Sequence, residues 1–154
     1  MNSKAYQYGI RLVSKQDYPE AKIKNKMLAK GFSCQETKDA IENLKSKNYL
    51  NERRFTQRQI SKLISKGYAA VLIKMHLDRL KIAISSEEIN NHIDDCYQEM
   101  RITPEKQIIK LIKSRDQKYD KKGNKKKDYM LRYLLSRGHE KELCEKILNS
   151  FGPV

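Results

Sequence analysis

Apolar side chains recur three or four residues apart along almost the whole chain, the spacing of one face of an α-helix. From Ala5 to Lys15, Tyr6, Ile10 and Val13 follow that period. Asp17-Tyr18-Pro19-Glu20 then interrupts it. Pro19 suits the first turn of the next helix, with Asp17 or Tyr18 in the cap position. Ile23, Met27 and Leu28 form the inward face of that helix, which runs to about Lys30, with Gly31 as left-handed terminator. Ser33-Cys34-Gln35-Glu36 reads as a capping box opening a third helix with Thr37, Ala40, Ile41 and Leu44 inward.

The pattern then starts again. Asn51 caps a helix carrying Phe55, Ile60, Leu63 and Ile64 that stops near Gly67. The next uses Ala69, Ile73, Leu77 and Leu80, and Ser85 with Glu88 opens one holding Ile89, Ile93 and Tyr97. Thr103-Pro104 pairs a cap residue with proline at the first helical position, before Ile108, Ile109, Leu111 and Ile112. Residues 117–127 contain six lysines and read as a loop. Met130, Leu131, Leu134 and Leu135 build a helix ending at Gly138, and Leu143, Ile147, Leu148 and Phe151 build the last.

The result is nine predicted helices in three triplets, 1–50, 51–102 and 103–154, the last containing the lysine-rich loop 117–127. Lys30-Gly31-Phe32-Ser33 and Arg137-Gly138-His139-Glu140 are two copies of one helix junction, and the segment from Leu80 to Glu88 is a weaker third that has lost its glycine. Repeats of this size stack into extended surfaces rather than enclosing one pocket. The expected fold is all-α: a tandem array of three three-helix units, elongated, either straight or curved.

Composition agrees with a helical reading. Glycine (6) and proline (3) are scarce, which disfavours a turn-rich β fold. Cys34, Cys96 and Cys144 are isolated and odd in number, so neither a disulfide framework nor a zinc ribbon is indicated, and all three read as small packing residues. No run of 18 apolar residues and no leader are visible, so a cytoplasmic protein is expected, with no membrane contact.

Charge changes the picture more. The formal net charge is +14, distributed +5, +2 and +7 over the three triplets. Self-repulsion of that size points to a polyanionic partner, nucleic acid first and an acidic protein surface second. Arg54, Arg58, Lys62 and Lys66 recur every four residues on one helix, where like charges oppose helix stability. Lys22, Lys26 and Lys30 form a shorter stripe. Lys118, Lys121, Lys122, Lys125, Lys126 and Lys127 make up the run of the predicted loop, flanked by Tyr119 and Tyr129. These thirteen residues are the candidate partner- and nucleic-acid-binding positions, by contact with phosphates rather than bases. Tyr6, Tyr49, Tyr68, Tyr97 and Tyr133 fall at spacings typical of core.

Catalytic chemistry finds no support. His76 and His92 lie in apolar-periodic helices and His139 in a junction, the setting of structural histidines. No phosphate-binding G-x-x-x-x-G-K-[ST] loop, H-E-x-x-H or G-x-S-x-G is present. No enzyme activity, cofactor or metal is expected.

The helix led by Tyr6 and Leu12, then Ala21-Lys22-Ile23 with Leu28 and Lys30-Gly31-Phe32-Ser33, then Tyr49-Leu50-Asn51 with Arg54-Phe55, resembles the bacterial regulatory protein RecX family. The resemblance spans nearly the whole chain and is weakest across 82–86 and 114–127. It departs at Pro19, where the family usually has serine, and at Arg53, where it usually has an acidic residue. What it implies is a non-enzymatic, monomeric regulator of the RecA recombinase in DNA repair, recombination and the SOS response. Such proteins lie in the groove of the RecA–single-stranded DNA filament and usually suppress ATPase, strand exchange and filament growth. A weaker, direct contact with the DNA backbone would accompany this. A sequence-independent DNA-binding protein acting without RecA, or a helical adaptor for acidic proteins, would share the same charge.

Overall fold

The capping signals place most helix ends where the computed structural model has them. It describes residues 3–151, and among these there are nine α-helices, one 3-10 helix and no strand. The α-helices are α1 Lys4–Lys15, α2 Glu20–Lys30, α3 Cys34–Ser46, α4 Glu52–Ser65 and α5 Ala70–Arg79. They continue as α6 Ser86–Met100, α7 Pro104–Tyr119, α8 Lys126–Ser136 and α9 Lys141–Ser150.

Ser33 and Glu36 form the expected capping box, at 3.0 Å and 3.3 Å. Asn51 accepts the Arg54 N–H at 3.1 Å and Thr103 accepts that of Lys106 at 3.2 Å. Ser85 accepts the Glu88 N–H, and the Glu88 carboxylate receives Arg53 at 2.7 Å. The start of α2 differs from expectation. Pro19 is itself the cap residue, in extended backbone and with no side-chain hydrogen bond, because its ring excludes the helical conformation from Tyr18.

The three related junctions share their backbone. Gly31 (φ 108°), Lys81 (φ 54°) and Gly138 (φ 88°) are all left-handed and stand between α2 and α3, α5 and α6, and α8 and α9. The middle copy has lost its glycine but not the conformation that glycine serves.

Residues 117–127 correct the expectation of a loop. Helix α7 runs on to Tyr119, 3-10 turns broken by a kink at Gly123 (φ 56°, ψ -125°) fill Asp120–Lys125, and α8 begins at Lys126. The cause is Lys126, whose ammonium donates to Asp116 at 2.7 Å and Asp120 at 2.6 Å. Two carboxylates one turn apart pin the lysine, and the turn winds tightly around it.

The described residues fall into two compact units. The first comprises 3–59 with His76–Ile89; α1, α2 and α3 close over Ala5, Tyr6, Ile23, Met27, Ala40 and Leu44. The second comprises Ile60–Met75 with 90–151; α7, α8 and α9 close over Ile108, Leu111, Met130, Leu134, Cys144 and Ile147. Fully burying an aliphatic side chain of this size contributes about 1.5–3 kcal/mol, so each unit rests on apolar packing rather than on helix propensity. Cys96 and Cys144 are buried as expected, and burial pushes the Cys144 thiol up to about 11. Cys34 instead opens α3 and is exposed.

Candidate nucleic-acid interface

The sequence-predicted basic positions divide sharply once their partners are known. On α4, Arg58 is ion-paired with Asp17 at 2.5 Å, and Arg54 donates to the Asn48 carbonyl at 3.4 Å. Lys62 and Lys66 are exposed and have no acidic partner among the described residues. One of the four charges in the stripe is therefore paired with a carboxylate, and three are not.

Lysines of α2 meet aromatic rings. Lys22 and Lys26 lie 5.4 Å and 5.3 Å from the Tyr18 ring centroid, and Lys30 lies 5.8 Å from that of Tyr8. A lysine over a ring is attracted by the quadrupole but keeps its whole charge for a partner.

The lysine run is mixed. Lys118, Lys121, Lys122 and Lys125 are exposed, and Lys122 lies 4.4 Å from the Tyr129 centroid. Lys127 is exposed and hydrogen-bonds Asn149. Lys126 differs from the others. It is buried, and hydrogen bonds from its ammonium to Asp116 and Asp120 hold its pKa above the usual lysine range.

A second group was not legible as a site. Arg137 lies 4.4 Å from the Tyr68 centroid and 5.3 Å from that of Tyr133, while Arg115 lies 4.5 Å from Tyr133. Tyr133 in turn lies 6.5 Å from Tyr119, and Tyr119 lies 6.1 Å from Tyr129. Burial pushes the Tyr133 phenol up, but the neighbouring cations Arg115 and Arg137 outweigh it, leaving the phenol below its ordinary value. Tyr68, Tyr97 and Tyr133 are only half-buried and Tyr49 is 51% exposed, so of the five tyrosines whose spacing suggested core only Tyr6 is buried. The overlooked signal was Tyr129, Tyr133 and Arg137 at steps of four on one helix face.

Next to Tyr133 a cleft of about 530 Å³ opens at the end of α4 and along α7. Its charged lining is Lys66, Lys106 and Lys110, with no carboxylate. Beneath them Gln107 is buried and fully used: it donates to the Ile64 and Tyr68 carbonyls and accepts from the Tyr97 hydroxyl. A larger cleft of about 730 Å³ carries both signs, with Asp116 and Asp120 beside Lys126 and Lys127. Of these two, only the smaller is lined by cations without a carboxylate.

No group of three or more metal-ligating side chains occurs among the described residues, and none of their helices is long and apolar enough to cross a membrane.

No family model matches the chain. It is 31% identical over 139 residues to a protein of Haemophilus influenzae named Regulatory protein RecX, covering 90% of this chain and 88% of that one. A Pasteurella multocida protein of the same name is 32% identical over 145 residues, covering 92% and 84%. Among solved structures, RecX from Lactobacillus salivarius superimposes with a TM-score of 0.69 at 15% identity, over 96% of this chain and 94% of that one. A second crystal structure of a regulatory protein RecX gives 0.71 at 18% identity, over 95% and 70%. At these identities the structures establish the shared helical fold.

Proposed function

This chain belongs to the regulatory protein RecX family, and from that membership we propose that it is a non-enzymatic, cytoplasmic regulator of the RecA recombinase. The carrying observation is the relationship itself, which extends over nine-tenths of the chain. The protein binds in the groove of the RecA–single-stranded DNA filament as a monomer and lowers ATPase, strand exchange and filament growth. Its three helix triplets, 1–50, 51–102 and 103–154, supply the contact surface.

Free cations supply the attraction. Lys22, Lys26 and Lys30 on α2, Lys62 and Lys66 at α4, and Lys118, Lys121, Lys122, Lys125 and Lys127 face acidic protein surface or DNA phosphates. Arg54 keeps its charge beside the Asn48 carbonyl, whereas Arg58 contributes less because it is paired with Asp17. Inhibition is a population effect: occupying one filament conformation opposes the cycle through the others. Such attraction weakens as salt rises.

The test is the DNA-dependent ATPase of the cognate RecA with substoichiometric added protein. A fall in ATPase with shortened filaments is expected. No change in ATPase, filament length or strand exchange would sink the proposal. Salt-sensitive binding to bare DNA with RecA unaffected would identify a DNA-binding protein that acts without the recombinase.

A further inference from the structure

The cleft beside Tyr133 has features that a filament-binding surface does not require. It is concave and holds about 530 Å³, within the range of small-ligand sites and large enough for one nucleotide. Three lysines enter it without any acid, whereas the larger cleft of the same unit sets two aspartates beside its lysines. Of the three, only Lys106 has a hydrogen bond among the described residues, a 3.4 Å contact with the Arg101 carbonyl. Lys66, Lys106 and Lys110 are thus ammonium donors without carboxylate partners, gathered around one hollow.

Positive charge is also held behind the cleft wall. Arg115 and Arg137 lie 4.5 Å and 5.3 Å from the ring centroid of Tyr133, which lines the hollow, and neither has an acidic partner among the described residues. The rest of the lining mixes Ser65, Gly67, Gln107 and Ser114 with an apolar portion of Ile64, Met100, Ile102 and Leu111. An inorganic anion would leave that surface bare, and an acidic side chain is too small to cover it. A ligand with phosphates at one end and a flat, weakly polar ring at the other satisfies both halves.

We infer that this cleft is a nucleotide site, with phosphates on Lys66, Lys106 and Lys110 and the base laid on Met100, Ile102 and Leu111. Two sources share that chemistry, a free nucleoside polyphosphate and one residue of a single strand. The inference goes beyond the regulatory reading and needs no recombinase.

The experiment uses the full chain and two fluorescent probes, mant-ATP and a labelled oligo(dT). The variant K106Q/K110Q changes two exposed side chains at the cleft; K141Q/K146Q removes the same charge from exposed positions on α9 that do not line it. Binding of at least one probe is expected to weaken about tenfold or more in the first variant and less than about twofold in the second. Loss of mant-ATP alone assigns a free nucleotide, and loss of oligo(dT) alone assigns a strand. Circular dichroism matched to the parent verifies folding of both variants, and R115Q gives an independent reduction of charge behind the wall. The inference is overturned if neither probe binds, if both double variants lose affinity equally, or if poly-glutamate displaces the probe as well as pyrophosphate does. RecA regulation that persists in K106Q/K110Q would leave the proposed function standing while the two arms decide the cleft.

Discussion

Two copies of one junction are closed in opposite ways. At Lys30–Ser33 and at Arg137–Glu140 the chain turns through a left-handed glycine. The first copy is closed within the first helix triplet. Phe32 meets Tyr8 at 5.8 Å, Lys30 lies over the same ring, and Ser33 with Glu36 caps α3. The second is closed by distant chain. The Ala69 N–H donates to the Arg137 carbonyl at 2.9 Å, and His139 donates from Nε2 to the Gly67 carbonyl at 2.7 Å. Arg137 itself lies against Tyr68 and Tyr133. The arginines differ in the same sense: Arg53 and Arg58 meet Glu88 and Asp17, whereas Arg115 and Arg137 meet tyrosines. A carboxylate cancels an arginine's field, and a ring leaves it intact. One helix–turn–helix frame thus serves a self-contained turn in the first unit, and in the second a clamp that gathers uncancelled charge.

The largest test of this contrast is steric. A Cβ at Gly31 would meet nothing within 4 Å, so Gly31→Ala bears only the left-handed penalty, about 1–2 kcal/mol. A Cβ at Gly138 would lie 2.7 Å from Leu72 Cγ. Overpacking adds about 1–3 kcal/mol, so Gly138→Ala should lose about 2–5 kcal/mol in all. Urea unfolding of the two variants measures both. Equal losses would end the distinction between a local and a non-local junction.

The next test rewrites the second junction in the letters of the first. His139→Phe removes the donor to a buried carbonyl and should cost about 1–3 kcal/mol. It should also remove a pH dependence. Burial holds the His139 imidazole below its ordinary value, against the upward pull of the Gly67 hydrogen bond. The unfolded chain therefore takes the proton first as pH falls. Its stabilising contribution is complete above about pH 6.5 and declines as the pH drops through that value. Thermal melts from pH 8 to 5 should show this decline in the parent, superimposed on other titrations, and a flatter profile in the variant. Identical slopes would remove His139 as its source.

Helix periodicity, caps and the left-handed glycines were legible because each is a rule over four or five adjacent residues. Ser33 with Glu36, Asn51, and Thr103 with Pro104 all act where local chemistry places them. What escaped notice depends on pairings between distant residues. Nothing near Lys126 marks it as buried, since its fate depends on Asp116 and Asp120, ten and six residues back. Nothing near Arg58 announces Asp17, forty-one residues away. Composition counted both as free charge. The cationic cleft was hidden for the same reason, because Lys66 reaches Lys106 and Tyr133 only through the fold.

The smallest test asks whether the middle copy keeps the frame in spite of its sequence. Lys81 is exposed and holds φ 54° without glycine's freedom. Relief of the left-handed penalty in Lys81→Gly should exceed the added entropy of the unfolded chain, a net gain of about 0.5–1 kcal/mol. Ala29→Gly, at an exposed helical position on α2, is the control and should lose about 1 kcal/mol, because there the same residue has no strain to relieve. Opposite signs in paired thermal melts would establish that all three junctions are built on one backbone and differ only in what their side chains hold. A loss at Lys81 as large as that at Ala29 would confine the shared frame to the two glycine copies, and the contrast between them would then describe two related turns rather than a repeated one.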